Sequence, residues 1–274
     1  MRSVITLFTI TGILFLSLSV GIAQPKSKSN VSIISPPESL QLGPFYKKYM
    51  NANGIHIISS HKVPDEALYK AYEIILFMTN GLPKVVLDEM VKVNTRVAIM
   101  ARYEGTTDIP EHAHLENDTS LNWDVRARGL GGTVELPLTS CAEENLLCYQ
   151  IDKYHAEDIL IHEFAHTIHA VGILPVHHDF NEVLQQLLDQ AIAEGKYENT
   201  YAATNIWEYW AEGVQNWFDV NAEVPFPDGK HNAVNTREEM KEYDIDLYHL
   251  IGKYFPETET SPSCHAKENQ YVIH

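Results

Sequence analysis

Two histidines and a glutamate within one short apolar segment are the residues best suited to chemistry. The segment reads ILIHEFAHTI over residues 159–168, and it places His162 and His166 four residues apart. On a helix that spacing brings two side chains within about 40° of each other, one turn apart, so that both imidazoles can bind one Zn²⁺. Glu163 lies at the flank of the same face, where its carboxylate could take a proton from a zinc-activated water.

The apolar surroundings of these three residues favour a metal site over ordinary histidines. Their neighbours are isoleucine, leucine, phenylalanine and alanine, which indicates a buried helix. Two imidazoles and a carboxylate left unpaired inside it would cost several kcal/mol. A helix with surface or capped histidines remains the alternative, because a short pattern of this kind also arises by chance.

A catalytic zinc needs a third protein ligand and an open position for water. A histidine ten residues after the first is excluded, since Gly172 stands there. Glu208 and Glu212 share one face of a downstream helix, so one could ligate zinc while the other accepts the ring N–H of a ligating histidine. The alternatives are a capping-box role with Asn205 for Glu208 and a solvated helix face for Glu212.

Two motifs together resemble the peptidase domain of anthrax toxin lethal factor and its relatives, which include secreted bacterial Pro-Pro endopeptidases. The first motif is HEFAH over residues 162–166, and the second is Tyr201 followed after six residues by EYWAE over residues 208–212. The resemblance covers roughly residues 50–255. It implies a zincin-like fold and a zinc metallopeptidase with two histidine ligands and one glutamate ligand.

The same resemblance implies a role for each matched residue. The metal ligands, which would hold one Zn²⁺, are His162, His166 and Glu208. Glu163 is then the general base, and Glu212 is the second acidic residue of the downstream helix, outside the ligand set. Tyr201 matches the tyrosine that donates to the oxyanion, a role that can stabilise developing charge by a few kcal/mol. An ordinary core tyrosine is the alternative for Tyr201.

The predicted elements form an α+β fold, a small mixed sheet packed on helices that include the active-site helix. Strands are predicted at residues 54–59, 96–101 and 133–138, and the last is an edge strand that could pair with a peptide substrate. A first helix is predicted to begin at residue 64. Further helices are predicted over residues 85–90, 183–193, 206–219 and 243–254, and Asp152 is predicted to cap a helix that runs through Ile168.

The domain organisation follows from composition along the chain. Residues 1–23 carry one basic residue, an apolar run and a small-x-small end, which predict a secretory signal peptide; an uncleaved anchor is the alternative. Residues 24–50 are predicted to be a flexible leader, residues 51–255 the catalytic domain and residues 256–274 a polar tail. No later stretch is apolar enough to cross a bilayer, so no membrane span is expected once the signal is removed.

Charge and cysteine content restrict the function further. The chain has 37 acidic and 20 basic residues, a formal net charge of −17, which argues against nucleic acid as a partner. Export makes disulfides possible. Cys141 and Cys148 could close a small loop, Cys264 lies in the polar tail, and one of the three must stay free or pair between chains.

The sequence therefore predicts a secreted, extracellular zinc metalloendopeptidase that acts on a protein or peptide substrate. In this prediction Glu163 is the general base for a zinc-activated water. A secreted zinc-binding module without turnover, acting as an effector or structural protein, is the alternative from a different class. A zinc hydrolase of non-peptide substrates is a third hypothesis, because the metal chemistry is the same.

Overall fold

The computed structural model describes residues 31–257 and 260–267, so the predicted signal peptide lies outside the described residues. Over these ranges the chain forms one five-stranded sheet and nine α-helices, which confirms the predicted α+β class with a small mixed sheet. The strands are β1 (Lys48–Ala52), β2 (Ile55–Ser59), β3 (Arg96–Met100), β4 (Gly129–Leu130) and β5 (Leu138–Ala142). The helices are α1 (Asp65–Asn80), α2 (Lys84–Lys92), α3 (Trp123–Arg126), α4 (Glu143–Leu146), α5 (Ile159–Thr167), α6 (Phe180–Ala193), α7 (Ile206–Trp217), α8 (Arg237–Tyr243) and α9 (Ile245–Ile251).

The sheet has the strand order β1-β2-β3-β5-β4. Its three central strands run parallel, and β1 and β4 are antiparallel to their neighbours at the two edges. Central parallel strands are covered on both faces, which explains the unbroken apolar run of β3, whose last four residues are all buried. A hydrogen bond of 2.6 Å between the hydroxyls of Thr139 and Thr167 shows which face of the sheet packs on α5.

The other face of the sheet is covered by the segment just before β1, so residues 40–50 of the predicted flexible leader pack on the domain. Tyr46 and Tyr49 are buried in a cluster with Ile58, Ala98 and Met100 of the sheet. Leu40, Leu42 and Phe45 pack against this cluster. Residue 50, the predicted end of the leader, lies inside β1, and the chain just before β1 supplies the cover that an apolar sheet face needs.

Helix α5 begins six residues later than the sequence predicts, because its cap is Asp158 and not Asp152. Asp158 is its N-cap, and the Asp158 carboxylate accepts a hydrogen bond of 2.9 Å from the amide of Ile161. Asp152 instead accepts hydrogen bonds from the Asn145 side chain and from the Tyr154 amide, so it holds the loop before the helix. After Thr167 the helix continues as a π-helical turn over Ile168–Ile173.

The predicted edge strand over residues 133–138 is also wrong. Residues 133 and 136 close a turn, in which the Thr133 amide donates to the Leu136 carbonyl at 2.8 Å. The edge strand is β4, which pairs with β5 through Gly129 and Leu130. The Thr133 amide, which a paired peptide would need in an edge strand, is used within this turn.

The C-terminal helices and tail differ from the prediction in two ways. The helix predicted over residues 243–254 is α9, which Asp244 caps and which ends at Ile251, and the short helix α8 before it was not predicted. Residues 260–267 are not a free polar tail, because Ser263, His265 and Ala266 are buried.

A disulfide between Cys148 and Cys264 fastens this segment to the domain. The small loop that Cys141 and Cys148 could have closed is not formed, because Cys141 is buried in β5 as a free thiol.

None of the helices in the described part of the chain is both long and apolar enough to cross a bilayer.

Candidate active site

The three predicted metal ligands meet at one point between α5 and α7. The Nε2 atoms of His162 and His166 lie 3.2 Å apart. The Glu208 carboxylate oxygen Oε2 lies 3.1 Å from the first and 3.3 Å from the second. Each of the three side chains is at most 15% exposed. The fold thus brings together residues that are more than forty positions apart in sequence.

Local interactions explain why Glu208 reaches the histidines. Asn205 caps α7 through its side chain, which accepts hydrogen bonds from the amides of Trp207 and Glu208 at 2.8 and 3.1 Å. The Glu208 carboxylate is therefore not used in the cap and turns toward α5. Lower on α7, the Trp210 indole donates to the Ala165 carbonyl at 2.9 Å, which ties the two helices together.

Electrostatics around the three residues favour positive charge at their meeting point. Burial lowers the pKa of His162, but the hydrogen bond to Glu208 and the charges of Glu163 and Glu212 outweigh it and raise that pKa to about 10. Burial raises the pKa of Glu208, but hydrogen bonds and Coulomb attraction from both imidazoles hold it well below the usual range.

Glu163 lies beside the three residues on the wall of the cleft. Burial raises the pKa of its carboxyl, and the two imidazoles oppose that shift. The glycine-rich strand β4 and the turn after it pack directly against this part of α5. A Cβ on Gly131 would lie 2.6 Å from the His166 Cβ, so the absence of a side chain is what allows this close approach.

Tyr201 enters the site from a 3₁₀ turn over Tyr201–Ala203. Its amide donates to the Lys230 carbonyl at 2.7 Å, and its ring is stacked on that of His162 with a centroid distance of 6.5 Å. Burial, together with the charge of Glu208, raises the pKa of the phenol to about 12, while Arg126 opposes the shift. The phenol is therefore a proton donor at neutral pH, inside the cleft that Glu163 lines.

Glu212 does not make the hydrogen bond expected from the sequence. Its carboxylate lies 3.7 Å from the His162 Nδ1 atom and accepts a hydrogen bond of 3.0 Å from Asn221. The closer partner of His162 Nδ1 is the Gln215 side-chain oxygen, at 2.8 Å.

The side chains of His162, His166 and Glu208 lie in a cleft that extends on both sides of them. One cavity of about 640 Å³ is lined by apolar side chains that include Leu130, Leu174 and Trp207. A second cavity of about 510 Å³ is lined by charged groups that include Glu157 and Lys230. His162, Glu163 and Tyr201 line both cavities, together with Arg126 and Tyr154. An extended molecule could therefore cross the site rather than end at it.

Comparison with solved structures finds a similar protein, the PRO-PRO endopeptidase PPEP-2 from Paenibacillus alvei. The two share 15% sequence identity with a TM-score of 0.48, and the match covers 72% of this chain and 96% of that chain. No protein-family model matches the chain. A search of curated protein sequences likewise finds no match.

Sequence reasoning missed Gln215 and gave Arg126 no role. Gln215 stands seven residues after Glu208, two helical turns along the same face, so the spacing could have pointed to it. Arg126 is the last residue of α3, which Asn122 caps at its start, and Lys153 donates to the last two carbonyls of the helix. No sequence motif indicates that this short helix borders the cleft.

Proposed function

We propose that this chain is a zinc-dependent metalloendopeptidase with a zincin-like catalytic domain. The observation that carries the proposal is the approach of the Glu208 carboxylate, from a separate helix, to within 3.1 and 3.3 Å of the two imidazole Nε2 atoms. A carboxylate and two imidazoles converging in a cleft match the ligand set of catalytic zinc sites.

The donor spacing fits zinc. Ligand atoms about 2.05 Å from a tetrahedral zinc ion lie about 3.3 Å from one another. The three separations between donor atoms in this site are 3.1, 3.2 and 3.3 Å. His162, His166 and Glu208 would therefore hold one Zn²⁺ without a large rearrangement. When bound, the ion supplies Lewis-acid polarisation of a carbonyl and a lower pKa for a water molecule.

The remaining chemistry belongs to residues of this chain. Glu163 takes the proton from the attacking water through its carboxylate and later passes it to the leaving amine. The burial that raises the pKa of Glu163 suits a group that must both accept and release a proton. Tyr201 keeps its phenolic proton at neutral pH and donates a hydrogen bond to the carbonyl oxygen as negative charge develops there.

The open cleft supports cleavage within a polypeptide rather than at its end. Cavities on both sides of Glu163 leave room for residues before and after the scissile bond. A zinc-binding module without turnover would need the three ligands but neither Glu163 nor Tyr201 in an open cleft. The disulfide between Cys148 and Cys264 supports secretion into an oxidising compartment, as the signal-like N-terminus does.

The experiment that tests this proposal is cleavage profiling of a peptide library with the purified protein that lacks residues 1–23. We expect cleavage by the wild type that a chelator stops and added zinc restores. Glu163→Gln should retain one equivalent of zinc and lower turnover by about 10²–10⁴-fold. Glu182→Gln, the same change at an exposed position on α6, is the matched control and should cleave like the wild type.

Two results would contradict the proposal. Undiminished cleavage by Glu163→Gln would remove Glu163 from the mechanism. One equivalent of zinc with no cleavage of any peptide pool would favour the zinc-binding module, or a hydrolase of non-peptide substrates.

A further inference from the structure

The side chain of Gln215 lies between the first predicted metal ligand and the start of the helix that carries it. Gln215 is completely buried in α7. Its Oε1 atom is 2.8 Å from the Nδ1 atom of His162, and its Nε2 atom donates to the backbone carbonyl of Asp158 at 3.1 Å. Both ends of the amide are therefore engaged with α5.

The partner at Asp158 fixes which way the amide points. A backbone carbonyl can only accept a hydrogen bond, so the NH₂ end of Gln215 must face it. The carbonyl end of Gln215 then faces His162, and that carbonyl can only accept. The Nδ1 atom of His162 must therefore carry a proton. In the neutral imidazole this leaves the lone pair on Nε2, the atom that faces His166 and Glu208.

The same amide also fixes the position of α7 along α5. Gln215 and Glu208 are two turns apart on one face of α7. Asp158 is the N-cap residue of α5, and its carbonyl also accepts the His162 amide at 3.2 Å. The Gln215 side chain thus orients one ligand and, together with the Trp210 indole, links the helix that provides another to α5.

Glu212 is not placed to do this instead. Its nearer oxygen is 3.7 Å from His162 Nδ1, beyond hydrogen-bond distance, and its other oxygen is held by Asn221.

We propose that Gln215 is a positioning residue for the metal site, which holds His162 as the Nδ1–H tautomer so that Nε2 is the ligand atom. This inference rests on the proposed function, because it assigns a role toward the zinc ion. It departs from the expectation that an acidic residue of α7 holds the ligating histidine.

The first test measures zinc affinity by competition with a fluorescent chelator. Gln215→Met keeps the approximate size of the side chain but removes both hydrogen bonds. We expect it to weaken zinc binding by about 10–100-fold. Asn216→Leu is the matched control, since it removes a buried amide from the same helix that does not face His162. We expect zinc affinity within about threefold of the wild type for that control.

The second test needs no variant of Gln215 and reads the tautomer directly. Long-range ¹H–¹⁵N NMR correlations of zinc-loaded wild type should show a protonated Nδ1 in the imidazole whose signals are lost in His162→Gln. A metal-bound, unprotonated Nδ1 would overturn the proposal even if Gln215→Met fails to fold.

The outcomes separate this inference from the proposed function. Tight zinc binding by the wild type and equal binding by Gln215→Met would overturn the role of Gln215 and leave the peptidase proposal standing. A wild type that binds no zinc would contradict both. Weakened binding by Gln215→Met, with the control near the wild-type value and Nδ1 protonated, supports the assignment.

Discussion

At the scale of single residues, Tyr201 provides a test of how charge is stabilised during turnover. If its phenol donates to the developing oxyanion, Tyr201→Phe should lower kcat by about 10²–10³-fold, as the loss of one such donor does in other hydrolases. KM and zinc content should change little, because the substrate is bound before that charge develops. Steady-state kinetics with zinc analysis measures all three quantities. Tyr69→Phe, which changes an exposed tyrosine on α1, is the control.

A rise in KM with unchanged kcat would place Tyr201 in substrate binding instead. An unchanged rate would make it the ordinary core tyrosine that the sequence left as an alternative.

The burial of His112 should make the stability of the fold depend on pH. Burial lowers the pKa of His112 to about 4, although the neighbouring Glu111 acts in the other direction. The unfolded chain binds a proton near pH 6.5 and the folded chain near pH 4, so the free energy of unfolding falls as the pH drops through that window. His112→Gln should reduce the loss of stability between pH 7 and pH 4.5 by about 2 kcal/mol.

Urea denaturation of His112→Gln at the two pH values measures this effect. His61→Gln, at an exposed position, is the control. An identical loss of stability in His112→Gln and the wild type would show that His112 does not titrate in this way.

The sequence predicted which side chains meet at the candidate site better than it predicted the residues that support them. His162 and His166 follow from a four-residue spacing that any helix would bring to one face. Glu208 needed the resemblance to a family, since nothing local to α7 says that it packs on α5. Gln215 was missed because a single amide in a helix has no motif, and its role depends on what α5 places opposite it.

At the scale of elements, the glycines of β4 and of the turn after it allow the sheet edge to pack closely against α5 beside the site. Gly131→Ala would place a Cβ 2.6 Å from that of His166, so the turn after β4 must move away from the helix. We expect a loss of about 1–3 kcal/mol in stability, typical of overpacking, together with weaker zinc binding. Chemical denaturation and chelator competition measure the two effects.

Gly43→Ala is the matched control, because its added Cβ would meet nothing within 4 Å. Its stability should equal or slightly exceed that of the wild type. Unchanged stability and zinc affinity in Gly131→Ala would contradict this prediction, because the turn after β4 could then move away from α5 without affecting the site.

The bounds of some elements can be predicted from sequence patterns, and those of others cannot. The buried strand β3 and helices α1, α2 and α7 were predicted near their observed bounds, because apolar periodicity and a capping asparagine mark them. Asp152 and Asp158 are both suitable residue types for the cap of α5. The observed cap is Asp158, because the Asp152 carboxylate accepts a hydrogen bond from Asn145 instead.

At the scale of the whole molecule, one disulfide connects residues 116 positions apart. In the loop-closure description such a link stabilises the folded state by about 4–5 kcal/mol. The double substitution Cys148→Ser and Cys264→Ser should therefore lower Tm clearly, and a reductant should lower the Tm of the wild type but not that of the double variant. Calorimetry with and without reductant measures both effects.

Cys141→Ala is the control for this experiment. It should keep its response to reductant, because Cys141 is a free buried thiol. Peptide mapping that found Cys141 linked to Cys148 would contradict this assignment and restore the small loop expected from the sequence.

Two long-range features of the molecule could not have come from the sequence alone. Three cysteines allow several pairings, and only the folded position of the C-terminal segment selects one. Residues 24–50 were expected to be a flexible leader from their composition. The described part of this segment packs on the sheet through Leu40, Leu42, Phe45 and Tyr46, and its last residues form the start of β1, an arrangement that depends on the assembled strands.

The most direct test of the central claim is X-ray diffraction from zinc-loaded crystals, recorded on both sides of the zinc absorption edge. We predict one anomalous peak bonded to the Nε2 atoms of His162 and His166 and to the Glu208 carboxylate. A peak bonded to other residues, or none between α5 and α7 at saturating zinc, would contradict the account.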